Sequence, residues 1–125
     1  MNIPKELKYT KDHEWIKVEG KVGFIGITDY AQGELGDVVF VDIPSDLSEI
    51  VAGESFGTIE AVKTVSDMYA PVTGKVIEIN PKLVDEPQLL NSEPYGEGWI
   101  IKIEIANPAE LNSLLDAAAY GAQIG

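Results

Sequence analysis

Residues 58–76 read TIEAVKTVSDMYAPVTGKV, and the folding of this stretch decides the rest of the chain. Ile59 and Ala61 on one side, and Met68, Ala70 and Val72 on the other, are β-forming and call for burial. The pattern has to double back between them, and Ser66 and Asp67 are the turn formers in that interval. The stretch therefore reads as a β-hairpin through VKTVSD, with Lys63 exposed at its tip. Two uses of such a lysine stand open. One is a charge that guards a sheet edge against aggregation. The other is an amine displayed for acylation, which removes its charge and can attach a long prosthetic group.

Outward from the hairpin, period-two alternation dominates. HEWIKVEG and KVGFIGIT read as a second hairpin with its turn at Glu19-Gly20. TDYAQGEL reads as a short helix, capped by Thr28 or Asp29 and limited by Gly33 and Gly36. GDVVFVDIP is a near-continuous apolar strand ended by Pro44. SDLSEIVAGES reads as a polar loop. TGKVIEIN follows a turn at Thr73-Gly74, and WIIKIEI puts Ile101, Ile103 and Ile105 on one face. Between them, PKLVDEPQLLNSEPYGEG predicts short turns or one helical turn around Leu89 and Leu90. NPAELNSLLDAAAYGAQ predicts a closing helix. Asn107, Pro108 and Glu110 match a capping box with proline, and Leu111, Leu114 and Leu115 supply an apolar face. A second short helix over Ala117 to Tyr120 ends at Gly121. GDVVFVDIP and GKVIEINP share a Gly-x-Val-Val/Ile-x-Val/Ile pattern at an offset of 38 residues. That pattern is compatible with matching strands of a pseudo-symmetric sandwich and equally with shared β composition.

The composition excludes several chemistries. The chain has 125 residues, 45% of them hydrophobic, which suits one domain with a single core. It has no Cys, so disulfides, thiolate zinc sites and a Cys nucleophile are excluded. Its one imidazole, His13, makes no metal site alone and is expected to be packed or hydrogen-bonded. The net charge is −12, which argues against nucleic acid and anionic membrane partners. No apolar run approaches the ~20 residues that span a bilayer. The N-terminus MNIPKELKYTKDHEW lacks the features of a signal or transit peptide, so a cytoplasmic location is expected. A mature mitochondrial-matrix form would look the same.

The segment GTIEAVKTVSDMYAPVTGKVIEIN resembles the lipoyl-lysine motif of the glycine cleavage system H protein family, in which a run close to ESVKA is followed by SD and AP-x-SG-x-V. YTKDHEWI, GITDYAQGELGDVVFVDIP, LLNSEPYGEGW and the capped C-terminal segment are similar as well, in the family's order and over almost the whole chain. Ala61 stands where the family commonly has Ser, Tyr30 where it often has His, and Thr64 where Ala is frequent.

The resemblance implies a mainly β fold, a lipoyl-domain-like barrel-sandwich hybrid with short helices and a C-terminal helix. It is expected as a single carrier domain over residues 1–125, with the β core at about 10–105 and the helical extension at 107–125. It also implies a non-catalytic carrier with lipoate attached to Lys63 as N6-lipoyllysine. The implied partners are a pyridoxal-phosphate-dependent glycine decarboxylase, a tetrahydrofolate-dependent aminomethyltransferase, dihydrolipoyl dehydrogenase and the lipoate-attaching enzymes. The arm would shuttle an aminomethyl group between the first two and be reoxidised by the third. Because that chemistry resides in the cofactor, no Cys, Arg or catalytic His is needed. The aminomethyl amine is cationic near neutral pH, so a carboxylate near the arm's resting place would stabilise it. By motif position the candidates are Glu14, otherwise a residue on a solvated strand face, and Asp67, otherwise a turn hydrogen-bonder. Glu60 is either read by the attaching enzyme or is plain strand surface. Trp15, Trp99, Tyr95 and Phe40 are most simply packing residues.

Other functions fit less well. A biotin carrier typically has Met on both sides of its lysine, where this chain has Val62 and Thr64. Lipoyl domains of oxo-acid dehydrogenases usually place Asp before the lysine. A relay donating lipoate or octanoate to other lipoyl domains stays open within the family. From other classes, a carboxylate-using hydrolase lacks any paired motif, and an unmodified interaction module would show no mass shift at Lys63.

Overall fold

A computed structural model describes residues 2–124; Met1 and Gly125, the outermost positions of the expected domain, lie outside it. Nine strands form two antiparallel sheets among these residues. The larger has the order β1 (Lys8–Tyr9), β2 (Glu14–Glu19), β3 (Val22–Ile27), β9 (Ile101–Ile105), β8 (Gly74–Ile79), β5 (Glu49–Ile50). The smaller has the order β4 (Val38–Asp42), β6 (Ser55–Ala61), β7 (Val65–Tyr69). Neither sheet closes on itself, so the expected barrel-sandwich hybrid is realised as two open sheets. The sheet framework begins two residues earlier than expected, at Lys8, and ends at Ile105.

The main core lies between the sheets. Ile16, Ile25, Ile101 and Ile103 of the larger sheet meet Ile59 and Met68 of the smaller, each at most 1% exposed. A second cluster of Leu7, Tyr9, Trp15 and Tyr120 joins β1 and β2 to α4 (Ala117–Ile124). Strand β2 serves both clusters because successive side chains alternate in direction, so Ile16 belongs to the main core and Trp15 to the other. Trp15 takes the space over Gly26, its cross-strand partner, where a Cβ would stand 2.7 Å from the indole. Its Nε1–H donates to the carbonyls of Ile27 and Pro94, both at 2.9 Å.

The paired glycine motifs share one local feature, although Gly36 is a helix cap at φ 78° and Gly74 is the first residue of its strand. Following Gly36, β4 bulges between Val38 and Phe40; following Gly74, β8 bulges between Val76 and Glu78. The two bulges share the same offset, and the residues they leave out of register, Val39 and Ile77, are both exposed.

Some local expectations differ from what forms, and others are met in part. Ser66 and Asp67 are not turn residues; they belong to β7 and pair with Ile59 and Thr58. The polar loop at 45–55 contains the short strand β5, paired to β8. The helical turn at Leu89 and Leu90 forms as α3 (Leu89–Ser92), preceded by another, α2 (Lys82–Asp85).

The C-terminal segment is helical but divided. A 3-10 helix, Pro108–Ser113, is capped by the Asn107 side chain, which accepts from the Ala109 N–H at 3.2 Å. Glu110 does not complete a capping box. It accepts instead from the Thr73 N–H at 2.8 Å and lies 3.2 Å from the Thr73 hydroxyl, tying the segment to the start of β8. Helix α4 runs through Gly121 to Ile124 rather than ending at Gly121. Tyr120, stacked on Tyr9, anchors it, with its hydroxyl 2.6 Å from Thr28 Oγ1 and 2.9 Å from His13 Nδ1. His13 is thus hydrogen-bonded as expected. Its φ of 71° is held by backbone bonds with Thr10 and Thr28.

Candidate functional site

Lys63 lies in the three-residue connection Val62–Lys63–Thr64 between β6 and β7. The Ala61 N–H donates to the Thr64 carbonyl at 2.8 Å and closes the loop, while Glu60 and Val65 form the last cross-strand pair. No residue of this loop has positive φ. The turn therefore requires no Gly, Asn or Asp, and a lysine sits in it without backbone strain. Lys63 is exposed and has neither hydrogen bond nor ion pair among the described residues. Its stem passes over Gly36, where a Cβ would stand 3.5 Å from Lys63 Cδ and Cε.

Gly36 follows α1 (Asp29–Leu35), which Thr28, one of the two expected caps, closes by accepting from the Ala31 N–H. The last residue of that helix, Leu35, lines a cleft of about 270 Å³ beside the hairpin. Ile27, Leu35, Ile59 and Met68 supply apolar wall. Four carboxylate residues, Asp12, Glu14, Glu34 and Asp67, line the same cleft, and no lysine does. His13, also in the wall, adds little positive charge, because burial pushes its pKa below the usual value despite Asp12 and Glu34. The cleft suits a slender ligand with an aliphatic body and a cationic end.

The two proposed carboxylates meet here. Glu14 is only 3% exposed, not on a solvated strand face. Burial raises its pKa to about 7, against the opposing pull of hydrogen bonds from Thr10 and Tyr69. A signal for this was available: Glu14 is two residues before Ile16 and so shares its inward phase. Asp67 stays exposed on β7, which is an edge strand of the smaller sheet. Glu60 does not line the cleft. It sits exposed on β6 in a cross-strand row with Phe40 and Val65, which are 49% and 61% exposed. Phe40 is therefore surface rather than core, whereas Trp15 is core. Sequence reasoning did not single out Asp12 or Glu34, because their place in the cleft depends on α1 packing beside β2 and β7.

The family model described as glycine cleavage H-protein matches residues 7–124. The chain belongs to the glycine cleavage H-protein family. It is 60% identical over 121 residues to the glycine cleavage system H protein of Symbiobacterium thermophilum, covering 97% of this chain and 94% of that one. Identity to the Bacteroides fragilis glycine cleavage system H protein is 57%, covering 99% and 98%. A crystal structure of the glycine cleavage system H protein from Mycobacterium marinum superposes with a TM-score of 0.89 at 40% identity, covering 98% of this chain and 99% of that one. Among H-proteins the present chain is thus similar in sequence and fold over nearly its whole length.

Proposed function

We propose that this chain is the lipoyl-bearing carrier of a glycine cleavage system, acting as a single carrier domain with lipoate joined by an amide to Lys63 Nζ. The observation that carries the reading is the unpartnered Lys63 on a strain-free loop beside an acidic cleft with apolar walls. The group supplies aminomethyl-carrying and dithiol redox chemistry to a pyridoxal-phosphate-dependent glycine decarboxylase, a tetrahydrofolate-dependent aminomethyltransferase and dihydrolipoyl dehydrogenase.

The protein's own residues do the holding. Lys63 provides the attachment point. Ile27, Leu35, Ile59 and Met68 cover an aliphatic chain and exclude water from it. Glu14 and Asp67 face a cationic end, and a cation arriving there lowers the Glu14 pKa and releases its proton. Glu60, with Phe40 and Val65 on either side, forms the outer face that a lipoate-attaching enzyme reads. No step asks this chain for a catalytic group, which accords with a carrier rather than an enzyme. A cytoplasmic location fits the bacterial relatives. No helix among the described residues is long and apolar enough to cross a membrane.

Intact mass and peptide mapping, after incubation with lipoate and a competent ligase, test the proposal. A lipoyl increment confined to the Lys63 peptide and absent in Lys63→Arg is the expected result. An increment elsewhere, or none, refutes it.

A further inference from the structure

We infer that Asn91 is a positioning residue for the carrier lysine: from α3 it holds the one peptide unit that in turn holds the Lys63 loop. The functional half of this inference rests on the carrier reading above, and the structural half does not.

The Asn91 side chain makes three hydrogen bonds. Its Oδ1 accepts from the Val38 N–H at 2.8 Å. Its Nδ2 donates to the Gly36 carbonyl at 2.9 Å and to Gln32 Oε1 at 3.1 Å. Asn91 therefore brackets Asp37, taking the carbonyl before it and the N–H after it. The Val38 N–H and the Asp37 carbonyl belong to the same planar peptide, so they turn together. That Asp37 carbonyl accepts the N–H of Val62 at 2.9 Å. Val62 immediately precedes Lys63, so a single rigid amide stands between the Asn91 side chain and the loop.

The loop needs an anchor of this kind. Val62 is 71% exposed, and Lys63 and Thr64 are also exposed, so no burial holds their backbone. Within the hairpin only the bond from Ala61 N–H to the Thr64 carbonyl crosses the turn. The Val62 bond reaches outside the hairpin and sets the loop against the start of β4. The same bracket holds Gly36, at φ 78°, beneath the lysine stem. The site asks for asparagine by chemistry. Its amide presents one acceptor and one two-proton donor in a plane, whereas an ionised aspartate would turn an oxygen toward the Gly36 carbonyl.

The test compares amide hydrogen exchange at Val62 with exchange at buried Ile101 and Ile103, in the unsubstituted protein and in Asn91→Ala and Asn91→Asp. Lipoylation kinetics are followed in parallel with a purified lipoate-attaching enzyme. In the variants Val62 is expected to exchange about tenfold faster while Ile101 and Ile103 keep their protection. Lipoylation is expected to show a raised KM and an unchanged kcat, because the competent loop orientation is less populated. An unprotected Val62 amide in the unsubstituted protein would overturn the inference without any variant. So would acceleration of Val62 by no more than the factor seen at Ile101. Should Asn91→Ala not fold, Asn91→Asp retains the size and the acceptor and carries the comparison. Failure of the unsubstituted protein to be lipoylated at Lys63 would refute the carrier reading and leave the exchange result to decide the anchor.

Discussion

Glu14 Oε2 accepts the Tyr69 N–H at 3.2 Å, joining β2 of the larger sheet to β7 of the smaller. Its other oxygen accepts the Thr10 hydroxyl at 2.7 Å. One carboxyl thus braces the two sheets beside the cleft and is held at a pKa of about 7 by the same burial.

That pKa makes stability depend on pH with a definite sign. A raised folded-state pKa means that the folded protein holds a proton which the unfolded chain releases near pH 4.5. The stability that Glu14 contributes is fully present below 4.5, falls as pH rises toward about 7, and levels off above. The shift corresponds to about 3 kcal/mol. His13, whose pKa is lowered by burial, acts in the opposite sense in both proteins, so denaturant unfolding between pH 4 and 8 is expected to show the fall as the difference between the parent and Glu14→Gln, whose amide can donate to Thr10 and still accept from Tyr69. Equal slopes in the two proteins would refute the assignment.

On the carrier reading, loss of either cleft carboxylate should shorten the life of the aminomethyl-loaded protein. Glu14→Ala and Asp67→Asn are each expected to accelerate release of the amine while leaving lipoate attachment intact. The lifetime of the loaded species, followed by mass spectrometry, is the measurement. Unchanged lifetimes in both variants would remove the carboxylates from the account.

On the carrier reading, an enzyme that attaches lipoate meets a Lys63 of only its own length and has to approach the hairpin face. Partners that meet the finished arm do not. Glu60→Lys and Phe40→Ser should therefore lower kcat/KM for lipoylation about tenfold, or ~1.4 kcal/mol. Reoxidation of already lipoylated, reduced variants by dihydrolipoyl dehydrogenase should be unchanged. Equal losses in both assays would show that the face is not selective for attachment.

Gly26→Ala places a Cβ against the Trp15 ring, which its bonds to Ile27 and Pro94 prevent from moving aside. The expected cost is about 1–3 kcal/mol. Tyr120→Phe removes the hydroxyl shared by Thr28 and His13, at a similar expected cost of about 1–3 kcal/mol. Thermal unfolding measures both, and a Tm unchanged in either variant would contradict its contact.

Features that depend on neighbouring residues were legible in the chain before any fold was known. The alternating isoleucines of β9, a cap at the start of α1, an Asn107 cap and a hairpin with Lys63 in its connection all follow from local patterns and form, although the turn lies earlier than the turn propensities place it. The family was legible for the same reason, since its motifs are contiguous runs. Which carboxylates share the cleft depends on the packing of distant elements. The phase shared with Ile16 turns Glu14 inward, but its bonds to Thr10 and to Tyr69 of β7 depend on how the two sheets pack. Ser66 and Asp67 have turn propensity, yet cross-strand pairing with β6 outweighs it and moves the turn to Val62–Thr64. Glu110 forgoes its own helix end for Thr73, and Asn91 reaches to both sides of Asp37. These are bonds between residues far apart in the chain, available only once the two sheets and the C-terminal segment have packed.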